Sequence, residues 1–199
     1  MLDAPPRRPP HYDAIRNETD AIGFTMASDL WTGALLRTLA ASKPAGSFLE
    51  LGTGTGLATA WLLDGMDARS TLLTVDNDDA VSSVARRHLK HDRRVTFTIA
   101  DGEACLSIFA EEGRTFDLVF ADAWPGKYSH LDEALRIVAP GGLYVVDDML
   151  PQPNWPEDHP PKVARLVETL SARPDLHVAT LCWSTGVIVA TKRAGNEST

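Results

Sequence analysis

The 199-residue chain is poor in cysteine, in excess positive charge and in long apolar runs, and each shortage excludes a class of protein. Its two cysteines, Cys105 and Cys182, sit in apolar runs without Cys-x-x-Cys or Cys/His ligand spacing. That excludes a disulfide framework or a structural zinc site as the basis of the fold, and predicts two inert thiols in a reducing compartment. Nineteen Lys and Arg stand against 27 Asp and Glu, a net charge of −8, and the basic residues fall in short groups such as Arg86-Arg87 and Arg93-Arg94. Without a basic face a phosphate backbone is repelled, so nucleic acid is not the expected partner. No apolar stretch approaches the roughly 18 residues of a membrane span. The opening MLDAPPRRPP has no apolar centre of a signal peptide. The expectation is a soluble, cytoplasmic protein without a membrane partner.

What is present is enough chain for one domain, at a prior of about 100–200 residues each. Four prolines and two arginines in the first ten residues predict a flexible arm over 1–11, and the polar end predicts a disordered tail over 194–199. Between them, 12–193 is expected to form one domain with an N-terminal helical cap over 12–43. The segment Ser28–Ala41 opens on a Ser-Asp cap signal and sets Leu30, Trp31, Leu35, Leu36 and Leu39 near one helical face.

After Lys43-Pro44-Ala45-Gly46, short apolar runs alternate with helical patterns, as successive β-α units of a parallel sheet do. Strands are expected at 47–51, 71–76, 95–100, 116–121 and 142–147, and helices near 56–66, 78–91, 102–112, 129–138 and 161–172. The end differs: the β-prone runs 176–183 and 187–192 are separated only by Ser184-Thr185-Gly186. Three residues join antiparallel strands but cannot make a parallel crossover. The fold class expected is α/β, a Rossmann-like three-layer sandwich whose seven-stranded, mostly parallel sheet carries one antiparallel strand from a C-terminal hairpin.

The first β-α junction, Phe48-Leu49-Glu50-Leu51-Gly52-Thr53-Gly54-Thr55-Gly56-Leu57, runs a strand into three alternate glycines and then a helix. Such a turn lets backbone approach a ligand and aims helix N-terminal amides at it. Leu57 stands where a dinucleotide fingerprint needs its third glycine, so the spacing is G-x-G-x-G, with Glu50 two residues before it. Asp76 ends the second strand, 20 residues after Gly56, and Asp101 ends the third. Carboxylates at this edge of a sheet suit ribose hydroxyls for Asp76 and an adenine amino group for Asp101. A helix cap is the competing role for both.

FLELGTGTG, VDND, ADGEA, FDLVFADAW and PGGLYVVDD, in this order, resemble the class I S-adenosylmethionine-dependent methyltransferases, over about Met26 to Lys192. The resemblance implies S-adenosylmethionine as cofactor and a small-molecule methyl acceptor. It would set Gly52, Gly54 and Gly56 at the methionine part, Asp76 at the ribose, and Asp101 with Gly102 at the adenine. Met26 and Ser28 would meet the amino-acid end, and Glu50, Asp122 and Trp124 complete the candidate cofactor residues.

The fourth strand ends at Asp122 and the fifth at Asp147-Asp148, so three acids are expected at one sheet edge. Acids so placed repel one another unless a hard divalent cation such as Mg²⁺ takes their oxygens. The pattern resembles the catechol and caffeoyl-coenzyme A O-methyltransferase group, which implies Asp122, Asp147 and Asp148 as metal ligands, Asp148 standing where that group has Asn. The group's base, a lysine three residues after the first metal Asp, is replaced by Pro125, and Lys127 follows two residues later. Either the Pro125-Gly126 turn brings Lys127 into the pocket as base beside Asp122, or Lys127 is a surface charge.

The loop 150–161 carries five prolines, and its Trp155, with Trp124, is either an acceptor wall or local packing. His159 is a polar contact or base, or part of that packing, whereas His88 and His91 lie on a charged helix face. The function expected is O-methylation of a small acceptor, an aromatic hydroxyl among the candidates, with divalent-metal assistance. A metal-independent N- or O-methyltransferase and a non-catalytic cofactor-binding module are the competing readings. The arm and first helices either cover the pocket or pack on a second subunit, as in a homodimer.

Overall fold

The computed structural model describes residues 5–152 and 155–195. The expected arm therefore lies outside the described residues over 1–4, the expected tail over 196–199, and the proline loop at 153–154. Helices α1 (Tyr12–Ala21) and α2 (Leu30–Ala41) precede β1 (Ser47–Leu51), α3 (Leu57–Gly65), β2 (Thr71–Asp76), α4 (Asp79–Leu89) and β3 (Val95–Ile99). Then come α5 (Gly102–Glu111), β4 (Phe116–Ala121), the single turn α6 (Trp124–Lys127), α7 (Leu131–Arg136), β5 (Val138–Val146), α8 (His159–Ser171), β6 (Leu176–Leu181) and β7 (Val187–Lys192).

The seven strands form one sheet in the order β3-β2-β1-β4-β5-β7-β6. Pairings from β3 through β5 are parallel, and β7 runs antiparallel to both β5 and β6. The hairpin expected from the short Ser184–Gly186 connection is thus present, and it inserts its second strand next to β5.

Alternation along the strands divides the core between two faces. Phe48, Leu118, Phe120 and Val145 pack with α2 and α3 through Leu36, Trp61 and Leu62. Leu49, Leu51, Val119, Tyr144 and Val146 pack on the other face with Leu106, Leu166 and Leu170 from α5 and α8. Three layers result.

Two departures from the sequence expectation have local causes. Strand β5 begins at Val138 rather than Gly142, because a bulge containing Pro140-Gly141-Gly142 lets Val138 pair Phe116 before Leu143 pairs Leu118. On α2, Leu30, Trp31, Leu35 and Leu39 are only half-buried, and the buried stripe is Thr32, Gly33, Leu36 and Ala40. Small residues set that face because α2 crosses α3 closely: a Cβ on Gly33 would stand 2.2 Å from Trp61 Cδ1. The cap signal does act, through Asp29, whose Oδ1 accepts from the Trp31 and Thr32 amides. No helix among the described residues is long and apolar enough to cross a membrane.

Candidate functional site

A cavity of about 380 Å³ opens at the C-terminal ends of β1, β2 and β4. Open parallel sheets bind ligands at this edge, where β1 and β4 lie side by side and their connections leave on opposite faces. Its wall comes from Phe24, Met26, Ala27 and Ser28 between α1 and α2, from Leu51–Thr55 with Leu57 and Ala58, from Val75–Asp78 with Val81, and from Gly102 and Asp122–Pro125.

The glycine turn shapes the floor. Gly52 holds φ +99°, and a Cβ there would meet the Asp122 carbonyl oxygen at 2.7 Å, so glycine allows the ends of β1 and β4 to approach each other. The Gly54 amide donates to Asp76 Oδ2 at 2.7 Å, and the Asp78 amide donates to Oδ1 at 2.8 Å. Asp76 is thereby oriented from both sides while each oxygen keeps acceptor capacity for a hydroxyl. Helix α3 starts at Gly56 without a side-chain cap, and its first residues, Leu57 and Ala58, line the cavity. Uncapped amides and the helix dipole favour an anionic group there. Thr55 is tied from outside, its hydroxyl accepting from Thr19 of α1 at 2.8 Å.

The donor set fits an S-adenosylmethionine-like group: a carboxylate for ribose hydroxyls, an anion-favouring helix start and a glycine-lined floor, with Ser28 and Met26 at the rim. Of the sequence candidates, Met26, Ser28, Gly52, Gly54, Asp76, Gly102, Asp122 and Trp124 line the cavity. Asp101 caps α5, its Oδ1 accepting from the Glu103 and Ala104 amides, and Gly102 rather than Asp101 reaches the wall.

Glu50 corrects the expectation of a cofactor contact. It is fully buried on the α3 face of the sheet, its Oε2 accepting from the Thr59 and Thr74 hydroxyls at 2.6 Å each. Oε1 has no hydrogen-bond partner among the described residues. Burial pushes its carboxyl up to about 8, against the two threonine hydrogen bonds. Strand parity sends it between layers, and the alternation of β1 carried that signal.

On the far side of Asp122 lies a second group of polar residues. The Asp122 oxygens accept from the Ser28 hydroxyl at 2.9 Å and the Lys127 ammonium at 3.2 Å. Burial raises its carboxyl above the usual range, opposed by the Lys127 charge. Lys127 is buried beside Asp122 and so is not a surface charge. Asp147 is buried too, and its Oδ1 accepts from the Thr185 hydroxyl at 2.6 Å, the Asp148 amide at 2.8 Å and the Thr32 hydroxyl at 3.4 Å. Burial, reinforced by Asp122 and Asp148, pushes its carboxyl up to about 8.

These residues do not fit the Mg²⁺ site expected at Asp122, Asp147 and Asp148. Among the described residues, no three His, Cys, Asp or Glu side chains are grouped to hold a metal ion. Both Asp122 oxygens and Asp147 Oδ1 are already engaged by hydroxyls, an amide and an ammonium.

Beside this group stands an aromatic cluster. Trp124, half exposed at the cavity mouth, packs edge-on to Tyr128 at 4.9 Å, and Trp155 lies 4.5 Å from His159 between ring centroids. The Tyr128 hydroxyl and His159 Nε2 are 3.2 Å apart, and the Lys162 ammonium lies over the Trp124 ring at 4.7 Å. Partial burial and the Lys127 and Lys162 charges lower the His159 pKa below the ordinary histidine value. Burial pushes Tyr128 up to about 12. No sequence motif announces Phe24, Tyr128 or the Asp147 partners Thr32 and Thr185, because they reach the site only through tertiary packing.

A family model described as a methyltransferase domain matches residues 49–149. Among curated proteins, the chain is similar to a Mycolicibacterium vanbaalenii protein, 34% identical over 119 residues that make up 57% of this chain and 52% of that protein. The chain thus spans about half the length of such relatives. Among solved structures, it is similar to one from Klebsiella pneumoniae at 27% identity and TM-score 0.78, covering 93% of this chain and 90% of the other. Both of these proteins bear the name "putative O-methyltransferase". An O-methyltransferase from Bacillus cereus in complex with SAH shares the fold at 20% identity and TM-score 0.81, covering 94% and 92% of the two chains. The matched segment carries the glycine turn, Asp76 and the ends of β4 and β5, and on that match the chain belongs to the methyltransferase-domain family.

Proposed function

We propose that this protein is an S-adenosylmethionine-dependent O-methyltransferase of a small acceptor, with a planar aromatic hydroxyl compound as the best-fitting class. The observation that carries the reading is the cavity whose glycine turn and Asp76 are joined by the Gly54 hydrogen bond. S-adenosylmethionine, when bound, supplies an electrophilic methyl group on a sulfonium.

The chain's own residues do the rest. Asp76 accepts the ribose hydroxyls, and the α3 amides at Leu57 and Ala58 meet the carboxylate end. Trp124, Tyr128 and Trp155 offer ring faces and edges to a planar acceptor, orienting its hydroxyl towards Asp122. His159, neutral at pH 7 by its lowered pKa, takes the hydroxyl proton at Nε2. The Lys127 ammonium faces the oxygen as negative charge develops. Holding the two reacting atoms at near-attack distance is worth up to about 7–11 kcal/mol in ideal cases, so alignment is the main contribution.

The test is calorimetry with S-adenosylhomocysteine, followed by a screen of labelled methyl transfer to phenols, catechols and amines. Binding with transfer to hydroxyl acceptors is expected. Binding without transfer to any acceptor would assign a binding module instead, and no binding would end the cofactor reading.

A further inference from the structure

Three carboxylates, Asp122, Asp147 and Asp148, follow the ends of β4 and β5, and the buried cation Lys127 lies 3.2 Å from Asp122 Oδ1. The charge of Lys127 acts on both Asp122 and Asp147, and Asp148 acts on the same two groups. The strand-end acids alone point to a bound divalent ion, but the atoms around them point elsewhere.

Lys127 reaches this place through a tight turn. Pro125 at φ −59°, ψ 135° and Gly126 at φ 88°, ψ −28° form a type II turn, with proline and glycine where that turn wants them. The turn is fastened on three sides. The Gly126 amide donates to the Ser129 carbonyl at 2.8 Å, the Tyr128 amide to the Trp124 carbonyl at 3.0 Å, and the buried Tyr144 hydroxyl donates to the Gly126 carbonyl. A Cβ on Gly126 would lie 2.9 Å from Leu51 Cδ1, so the turn is also packed against β1. The lysine stem is therefore delivered in a fixed direction, and its ammonium lands 3.2 Å from Asp122 Oδ1 with 6% of the side chain exposed.

We propose that the Lys127 ammonium is the resident cation of this cluster: it occupies the position a divalent ion would take, so the native chain binds no divalent cation here, and the acceptor oxygen is met by this fixed charge. Its role towards the acceptor rests on the methyl transfer proposed above; its exclusion of a divalent ion does not. An ammonium offers three donors and one charge in place of a metal's coordination sphere. That is enough to hold Asp122 Oδ1 while the Ser28 hydroxyl serves Asp122 Oδ2 and the Thr32 and Thr185 hydroxyls serve Asp147 Oδ1.

The experiment is a Mn²⁺ titration followed by electron paramagnetic resonance, on the wild type, Lys127→Gln, Lys127→Met and Lys127→Gln/Asp122→Asn. The wild type is expected to leave Mn²⁺ free, the two single variants to take up Mn²⁺, and the double variant to lose it again. Wild-type uptake of Mn²⁺ that a further variant, Asp122→Asn alone, removes would overturn the proposal, and that measurement stands even where a lysine variant fails to fold. Folded lysine variants that bind no Mn²⁺ would overturn it as well. With an acceptor in hand, chelation should leave wild-type transfer unchanged, and Lys127→Met should lower kcat by about 100-fold with S-adenosylhomocysteine binding retained. Transfer that stops on chelation and returns with Mg²⁺ would refute the metal-free role. Absence of transfer to every acceptor would count against the proposed function alone and leave the Mn²⁺ result to decide the cation.

Discussion

The Gly54 amide donates to Asp76 Oδ2 across 2.7 Å, joining the glycine turn after β1 to the end of β2. The same carboxylate thus shapes the turn and offers its remaining lone pairs to the cavity. Asp76→Ala is expected to weaken S-adenosylhomocysteine binding by at least about tenfold, since a hydrogen bond to a charged group is worth roughly 1.5–3 kcal/mol. Calorimetry on the folded variant measures it, and unchanged affinity would remove Asp76 from the cofactor site.

The α2–α3 crossing supplies a stability prediction with no functional component. Gly33→Ala drives a methyl into the Trp61 ring, which has no free space to yield because Trp61 is buried and packed edge-on by Tyr12 at 5.8 Å. The cost expected is about 1–3 kcal/mol by overpacking, read from the urea midpoint. A midpoint equal to that of the wild type would show that the helices separate freely.

Glu50 makes stability fall as pH rises. Its folded-state pKa of about 8 lies above the unfolded value of 4.5, so between these pH values the folded chain holds a proton that the unfolded chain has lost. The stabilisation is fully present below about pH 4.5 and is lost as pH passes through about 8, at up to roughly 1.4 kcal/mol per pH unit. Asp147, raised to about 8, contributes with the same sign. Glu50→Gln should therefore flatten the decline in unfolding free energy between pH 5 and 8 without abolishing it. A variant as steep as the wild type would place the titration elsewhere.

The acid limb of catalysis should lie at lower pH than a solvated histidine would set it. Because partial burial, Lys127 and Lys162 lower the His159 pKa, its neutral form persists below pH 6.5, and the acid limb of kcat/KM is expected under that value. His159→Gln should lower kcat by about 10²–10⁴ and erase the limb, with cofactor affinity retained. An acid limb unchanged in the variant would assign the proton to another group.

Much of this architecture is legible in the letters, and the exceptions share a cause. The parallel strands follow from repeated β-α alternation, and the antiparallel β7 follows from a connection too short to cross over. The Asp76 position is readable because a strand end and a glycine turn are both local patterns. Lys127 is not: its spacing from Asp122 departs from the expected one, and only the dihedral angles of Pro125 and Gly126 decide whether the side chain enters the protein or leaves it. Glu50 is another: a residue two positions before a glycine turn lies close to the ligand along the chain, while the pleat turns it towards Thr59 and Thr74. The acids after β4 and β5 are likewise visible along the chain, whereas the Ser28 and Thr185 hydroxyls that serve Asp122 and Asp147 are brought to them only by the fold.

The placement of β7 sets an order of events for the growing polypeptide. Residues 187–192 form the strand between β5 and β6, although they come last among the elements. Until they emerge from the ribosome, β5 presents a bare apolar edge and β6 lacks its neighbour, so the sheet cannot close before β7 is made. Residues through β7 must be made before the Val145–Val189 register forms, which makes this pairing a long-range step. A ribosome stalled shortly before Val187 would hold an aggregation-prone intermediate rather than a shortened version of the protein.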